Sequence, residues 1–198
     1  MGSSSSPSDA GLLTISAKIV VAGGFGVGKT TMVSSVSEVR PLNTEAWMTE
    51  ASEGVDDLPP GRGKSTTTVA MDFGRITLHD DLLLYLFGTP GQARFWFLWD
   101  DLSRGALGAV VLVDTSRIDE SFAAVNYFEN DSDLPFVVAV NRFDGKERHH
   151  LDEVRDALAL HESVPLVECD VRNRPSSLSV LQAVVTHSLS LSTVSAPG

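Results

Sequence analysis

The stretch Gly23-Gly24-Phe25-Gly26-Val27-Gly28-Lys29-Thr30, entered from the apolar run Ile15 to Val21, decides the fold. It matches G-x-x-x-x-G-K-[ST] in full, with a strand pattern before it and a helix pattern after it, which is the context the motif needs. Glycines let successive backbone N–H groups curl around a phosphate, and a helix starting at Lys29 adds its positive dipole end. Gly23, Gly26, Val27, Gly28 and Thr31 are therefore read as the walls of a phosphate site. Lys29 is expected to reach the β- and γ-phosphates. The Thr30 hydroxyl is expected to serve Mg²⁺, a hard cation that prefers oxygen ligands.

Outward from this loop, short β-branched runs alternate with helical patterns. Helix is predicted from Lys29 towards Arg40, strands over 69–78, 82–87 and 107–113, and helix again from Ile118. A strand at 136–140, a helix through 151–160, a short strand at 165–167 and a last helix over about 178–189 complete the chain. Strands that are apolar throughout are buried on both faces, and helical crossovers imply parallel pairing. The expected architecture is α/β, three layers around a mainly parallel sheet of about six strands. Residues 41–67, with Pro41, Pro59-Pro60 and Gly61-Arg62-Gly63, interrupt the alternation as a long connection of functional or disordered type.

The 198 residues suit one domain, placed at 12–191, between a Ser-rich tail at 1–11 expected to be disordered and a flexible end at 192–198. Fifteen Lys+Arg against 26 Asp+Glu leave a formal charge of −11, which opposes nucleic acid or an anionic lipid surface as main partner. The single cysteine, Cys169, excludes an internal disulfide and a multi-thiolate metal site, and points to a reducing cytoplasm. No apolar stretch approaches the ~20 residues of a membrane-spanning helix.

After the fifth predicted strand stands Asn141-Arg142-Phe143-Asp144, nearly the N-K-x-D guanine signature. A carboxylate at Asp144 can accept from both guanine N1–H and the 2-amino group, whereas adenine would leave that charge unpaired. Asn141 is expected to tie this loop to the phosphate loop and the base. Arg142 stands for the usual Lys, its stem lying over the ring. The competing structural reading is an Asn/Asp turn capping the next helix.

With these two motifs the chain, over roughly residues 14–190, resembles a Ras-like small GTPase of the P-loop superfamily. Phe87-Gly88-Thr89-Pro90-Gly91-Gln92 and Thr66-Thr67-Thr68-Val69-Ala70-Met71-Asp72-Phe73 resemble the actinobacterial conservon GTPases and, more distantly, the bacterial gliding-polarity GTPase. The resemblance implies a GTP-binding, slowly GTP-hydrolysing cytoplasmic switch in bacterial signalling, with GTP/GDP and Mg²⁺ bound. It also implies a roadblock-type regulator and a sensor-kinase-like membrane protein as partners, through which the chain would reach a membrane peripherally. Carried over by position, one of Thr66, Thr67 and Thr68 is the γ-phosphate and Mg²⁺ threonine, with Thr68 favoured. Gly91 would offer its N–H to the γ-phosphate, Gln92 would orient the hydrolytic water, and Asp170 and Val171 would form the last base loop.

One departure stands out. The superfamily's D-x-x-G aspartate, which holds Mg²⁺ through a water, is Gly88 here, and losing such an outer-shell group typically costs ~10–100-fold in metal affinity or activity. Slow hydrolysis is the expectation, with no arginine finger evident: Arg62, Arg94 and Arg104 are the candidates to lie near the phosphate, but an arginine in a flexible loop is usually solvated and none is assigned the role. Phe95-Trp96-Phe97-Leu98-Trp99 is read as part core, part nucleotide-dependent partner surface. Two rivals follow: a nucleotide-dependent binding module without turnover, favoured by Gly88, and an ATP-using phosphoryl transferase, opposed by Asn141 and Asp144.

Overall fold

The computed structural model describes residues 15–39, 42–47, 68–79, 82–91, 98–143 and 149–194. Gln92, Asp144, Thr66, Thr67, Arg62, Arg94, residues 95–97 and both chain ends beyond 15 and 194 lie outside the described residues.

The chain runs β1 (Ile15–Gly23), α1 (Lys29–Val36), β2 (Leu42–Trp47), β3 (Thr68–His79), β4 (Leu82–Gly88), α2 (Leu98–Ser103) and β5 (Gly108–Val113). A 3₁₀ segment (Thr115–Ser121), α3 (Phe122–Asn126), a π turn (Tyr127–Asp131), β6 (Phe136–Asn141), α4 (Leu151–Leu158), β7 (Leu166–Cys169) and α5 (Arg174–Val194) follow. The strands form one sheet in the order β2-β3-β4-β1-β5-β6-β7. From β4 to β7 all neighbours are parallel, and β3 turns back antiparallel on β4, with β2 antiparallel beyond it.

The expected α/β plan with a mainly parallel sheet of about six strands holds, the sheet having seven strands among the described residues. The added strand, β2, lies inside the stretch read as irregular, and as an edge strand it carries Asn43, Thr44 and Glu45 in place of an apolar run. The segment expected as one helix from Ile118 is instead divided into 3₁₀, α and π turns. α5 runs from Arg174 to Val194, longer at both ends than the helix expected over about 178–189.

Period-two alternation splits the core into two layers. Ile19, Val21, Leu84, Leu86, Val110, Leu112 and Val137 face α1 and α5, where Met32, Val33, Val180 and Val184 meet them. Val20, Ala22, Val111, Val113, Val138 and Val140 face the other way onto Trp99, Val125, Phe128, Val154 and Leu158. β5 and β6 are buried at every position, as parallel strands covered on both faces must be. Gly23, Gly88, Asn141 and Cys169 all end strands at one edge of the sheet. The phosphate loop follows β1, from which the strand order runs outward in both directions, the switch point where open α/β sheets place ligands.

Candidate functional site

The glycine loop turns through Gly23, Gly26 and Gly28, each at positive φ (134°, 71° and 110°), and α1 starts at Lys29. Gly28 has a second constraint, because a Cβ there would stand 2.9 Å from both Asn141 Nδ2 and Val171 Cγ2. Within the loop the Lys29 ammonium donates to the Gly23 carbonyl at 2.8 Å and the Gly24 carbonyl at 2.6 Å. Burial lowers its pKa to about 8, against the opposite pull of the Asp72 and Glu120 carboxylates. Such a cation is held on carbonyls, ready to be drawn onto a more strongly anionic ligand. Thr31 is exposed on the first turn of α1.

Asn141, buried at the end of β6, joins three loops. Its amide donates to the Val27 carbonyl at 2.9 Å, and its side-chain oxygen accepts from the Val171 N–H at 3.2 Å. Asn141 thus ties the end of β6 both to the phosphate loop and to the β7–α5 connection. Val171's own N–H is spent on this junction. Arg142 turns away from the phosphate loop: its guanidinium pairs with Glu168 and donates to the His149 carbonyl at 3.0 Å. Asp170 accepts from the Arg172 backbone N–H and guanidinium, and those bonds hold its carboxyl below the usual range.

A residue the sequence reading did not single out stands in the place of the missing aspartate. Asp72 on β3 lies directly opposite Gly88 on β4, and its Oδ2 accepts from the Thr30 hydroxyl at 2.7 Å. A Cβ on Gly88 would meet Asp72 Cβ and Oδ2, each at 2.9 Å. The carboxylate expected from the D-x-x-G turn therefore enters from the neighbouring strand, into space that only a glycine leaves open.

Gly91 closes this corner: a Cβ there would be 2.8 Å from Lys29 Nζ and 3.0 Å from Phe25 Cα. Thr68 opens β3 opposite Trp47, on the strand that carries Asp72. Arg104 is far from the loop, at the other end of β1, where its carbonyl accepts from Lys18. Asp114 caps the 3₁₀ segment by accepting from the Ser116 N–H.

A family profile with the description "conserved hypothetical ATP binding protein" matches residues 21–191. The chain belongs to this family. An uncharacterized protein of Methanocaldococcus jannaschii is 29% identical over 129 residues, 64% of this chain and 70% of its own. The Ras-related protein Rab-7b of Mus musculus is 25% identical, covering 84% of this chain and 77% of its own, and the Ras-related protein RABC2a of Arabidopsis thaliana is 28% identical, covering 88% and 77%. Among solved structures the FeoB G-domain from Methanococcus jannaschii superposes with a TM-score of 0.57 at 14% identity, over 88% of this chain and 98% of that one. The cytosolic domain of T. maritima FeoB in a GDP form gives 0.62 at 15%, over 88% and 64%. The fold is that of a G domain, and over most of its length the chain is similar in sequence to Ras-related proteins. Among the described residues no helix is long and apolar enough to cross a membrane.

Proposed function

We propose that the protein is a guanine-nucleotide switch of bacterial signalling that hydrolyses GTP slowly and is stimulated by partners. The observation that supports the reading is Asn141 bridging the Val27 carbonyl and the Val171 amide, which fastens the end of β6 to the phosphate loop. Asp144, three residues on in the chain and outside the described residues, is assigned the carboxylate that accepts from guanine N1–H and the 2-amino group. The family description names ATP, but adenine offers that carboxylate no such donor pair.

Mg²⁺ suits the donors present. Thr30 and Asp72 supply oxygen, Thr68 is proposed to add its own from the start of β3, and among the described residues no cluster of three His, Cys, Asp or Glu forms a protein-only cage. That ion keeps waters and phosphate oxygens as most of its shell, and when bound it neutralises charge on the β- and γ-phosphates. Lys29 leaves the Gly23 and Gly24 carbonyls for the β- and γ-phosphate oxygens. Gly91 donates its N–H to the γ-phosphate and Gln92 orients the attacking water. With Asp72 restoring a carboxylate, slow turnover is ascribed to the switch itself, where Pro90 stiffens the approach to Gly91.

The conservon-like resemblance adds a roadblock-type regulator and a sensor-kinase-like membrane partner, and a cytoplasmic place peripheral to the membrane through them. The test of base choice is Asp144→Asn in competition between GTP and xanthosine triphosphate. Selectivity should shift towards xanthine by at least about tenfold, since lost bonds to a charged group cost ~1.5–3 kcal/mol. An undiminished preference for GTP would remove Asp144 from base reading.

A further inference from the structure

The wall of the phosphate loop away from α1 is built by the turn that follows β5, and it is charged. Arg117 and Glu120 of the 3₁₀ segment press against the loop glycines. A Cβ on Gly26 would lie 3.6 Å from Arg117 Nη2 and 3.9 Å from Nη1, and a Cβ on Gly24 would lie 2.8 Å from Glu120 Oε2. Glu120 is also close enough to Lys29 to raise the ammonium's pKa. Lys29, the loop backbone, Glu120 and Arg117 thus form one contiguous electrostatic unit.

Arg117 is loosely held. Its Nε and Nη2 reach Asp114 Oδ2 at 3.4 Å, and its Nη1 reaches the two Glu120 oxygens at 3.3 and 3.5 Å. Strong guanidinium–carboxylate bonds run about 2.7–2.9 Å, so none of these is tight. The side chain is 40% exposed, which leaves it room to swing, while the Asp114 carboxylate that anchors it is 7% exposed. Its backbone leaves the helical region (φ −143°, ψ 51°), at the kink that divides the 3₁₀ segment. Other arginines of this region are engaged elsewhere: Arg142 with Glu168 and the His149 carbonyl, Arg172 with Asp170, and Arg174 with the carbonyl end of α1.

We propose that Arg117 is a catalytic arginine supplied in cis. It leaves Asp114 and Glu120 for the triphosphate once nucleotide is bound, and its planar guanidinium neutralises the charge that spreads over the γ-phosphoryl oxygens during hydrolysis. Water adds to the γ-phosphorus, the bond from that phosphorus to the β–γ bridging oxygen breaks, GDP leaves with the electron pair, and the water's proton ends on inorganic phosphate. Arg117 is unchanged at the end. A phosphate chain carries more negative charge than either carboxylate and accepts a bidentate fork, so the exchange of partners is downhill in the triphosphate state. An arginine acting on the transition state is worth ~10³–10⁵ in kcat.

The inference rests on the GTPase reading above, and the experiment separates the two. Single-turnover GTP hydrolysis, GDP affinity and formation of the GDP–aluminium fluoride complex are measured for the parent protein, Arg117→Ala and Arg117→Lys, each checked by thermal melting. Arg117→Ala should hold GDP within a few-fold of the parent, lose the aluminium fluoride complex, and hydrolyse GTP slower by ~10³-fold or more. Arg117→Lys keeps a charge for Asp114 and so keeps the fold, yet it should recover little of the rate, because a point charge lacks the planar fork. Parental hydrolysis and aluminium fluoride binding in both variants would overturn the proposal. So would a loss of GDP affinity as large as the loss of rate, which marks a structural clamp on the loop. A parent protein that binds GDP but neither hydrolyses GTP nor binds aluminium fluoride would overturn the hydrolytic reading itself, and the proposal with it.

Discussion

Replacing Asp72 by Ala removes the carboxylate that faces Gly88 and leaves the Thr30 hydroxyl without its acceptor at 2.7 Å. The bond is charge-assisted and worth ~1.5–3 kcal/mol, and the solvent exposure of Thr30 favours the lower part of that range. The loss of an outer-shell metal partner, ~10–100-fold, corresponds to about 1.4–2.8 kcal/mol, so two independent routes give the same size. The assay is release of a fluorescent GDP analogue titrated with Mg²⁺, whose midpoint should rise by ~10–100-fold in Asp72→Ala while release in chelator stays at the parent rate. The close approach at Gly88 sharpens the test. Gly88→Asp alone places a second carboxylate where the Cβ already lies 2.9 Å from Asp72 Oδ2, so it should destabilise the fold. The pair Asp72→Gly with Gly88→Asp moves the carboxylate back to the D-x-x-G position and should recover the Mg²⁺ midpoint to within about tenfold. An unchanged midpoint in Asp72→Ala would refute the assignment.

Lys29 gives a pH dependence. Its free-state pKa of about 8 must rise when phosphates surround it, so triphosphate affinity is full below pH 8 and falls above it, by up to about tenfold per pH unit; calorimetry at pH 7, 8 and 9 should show this slope in the parent and none in Lys29→Ala. Asn141→Ala leaves the Val27 carbonyl and the Val171 N–H without their partner, a cost of about 2–4 kcal/mol that should lower Tm by about 4–16 °C along with nucleotide affinity; an unchanged melting curve would contradict the junction. Cys169 is buried, which raises its thiol pKa to about 12, so native-state alkylation by iodoacetamide near pH 8 should run at least on the order of 10³-fold slower than for a free thiol, and unfolding should remove the difference.

What the sequence disclosed follows from how local each signal is. The phosphate loop is contiguous and lies between a strand and a helix, so Gly23 to Thr30 could be read directly, and β5 and β6 were plain because a strand buried on both faces is a continuous apolar run. Asp72 was hidden because its function depends on register across two antiparallel strands. Counting from the pair His79–Leu82 would set Asp72 opposite Thr89, on the wrong face. The irregularity between Thr77 and His79 restores it opposite Gly88. The available clue was an acid within the apolar run Val69 to Phe73, together with a glycine where an acid was due. β2 escaped notice because an edge strand need not be apolar, and the divided segment after β5 because Asp114 captures the Ser116 N–H and Arg117 leaves the helical region. The hold that Glu168 and the His149 carbonyl have on Arg142 spans chain separations that no motif encodes.

Base choice is where the family description and the Asn141–Asp144 reading part, and one measurement decides between them: displacement of a fluorescent GDP analogue from the parent protein by GTP and by ATP, at fixed Mg²⁺. If Asp144 reads guanine beside the Asn141 junction, GTP displaces the probe at a concentration at least about tenfold below that of ATP. Displacement by ATP at equal or lower concentration would contradict the guanine-nucleotide switch at its root.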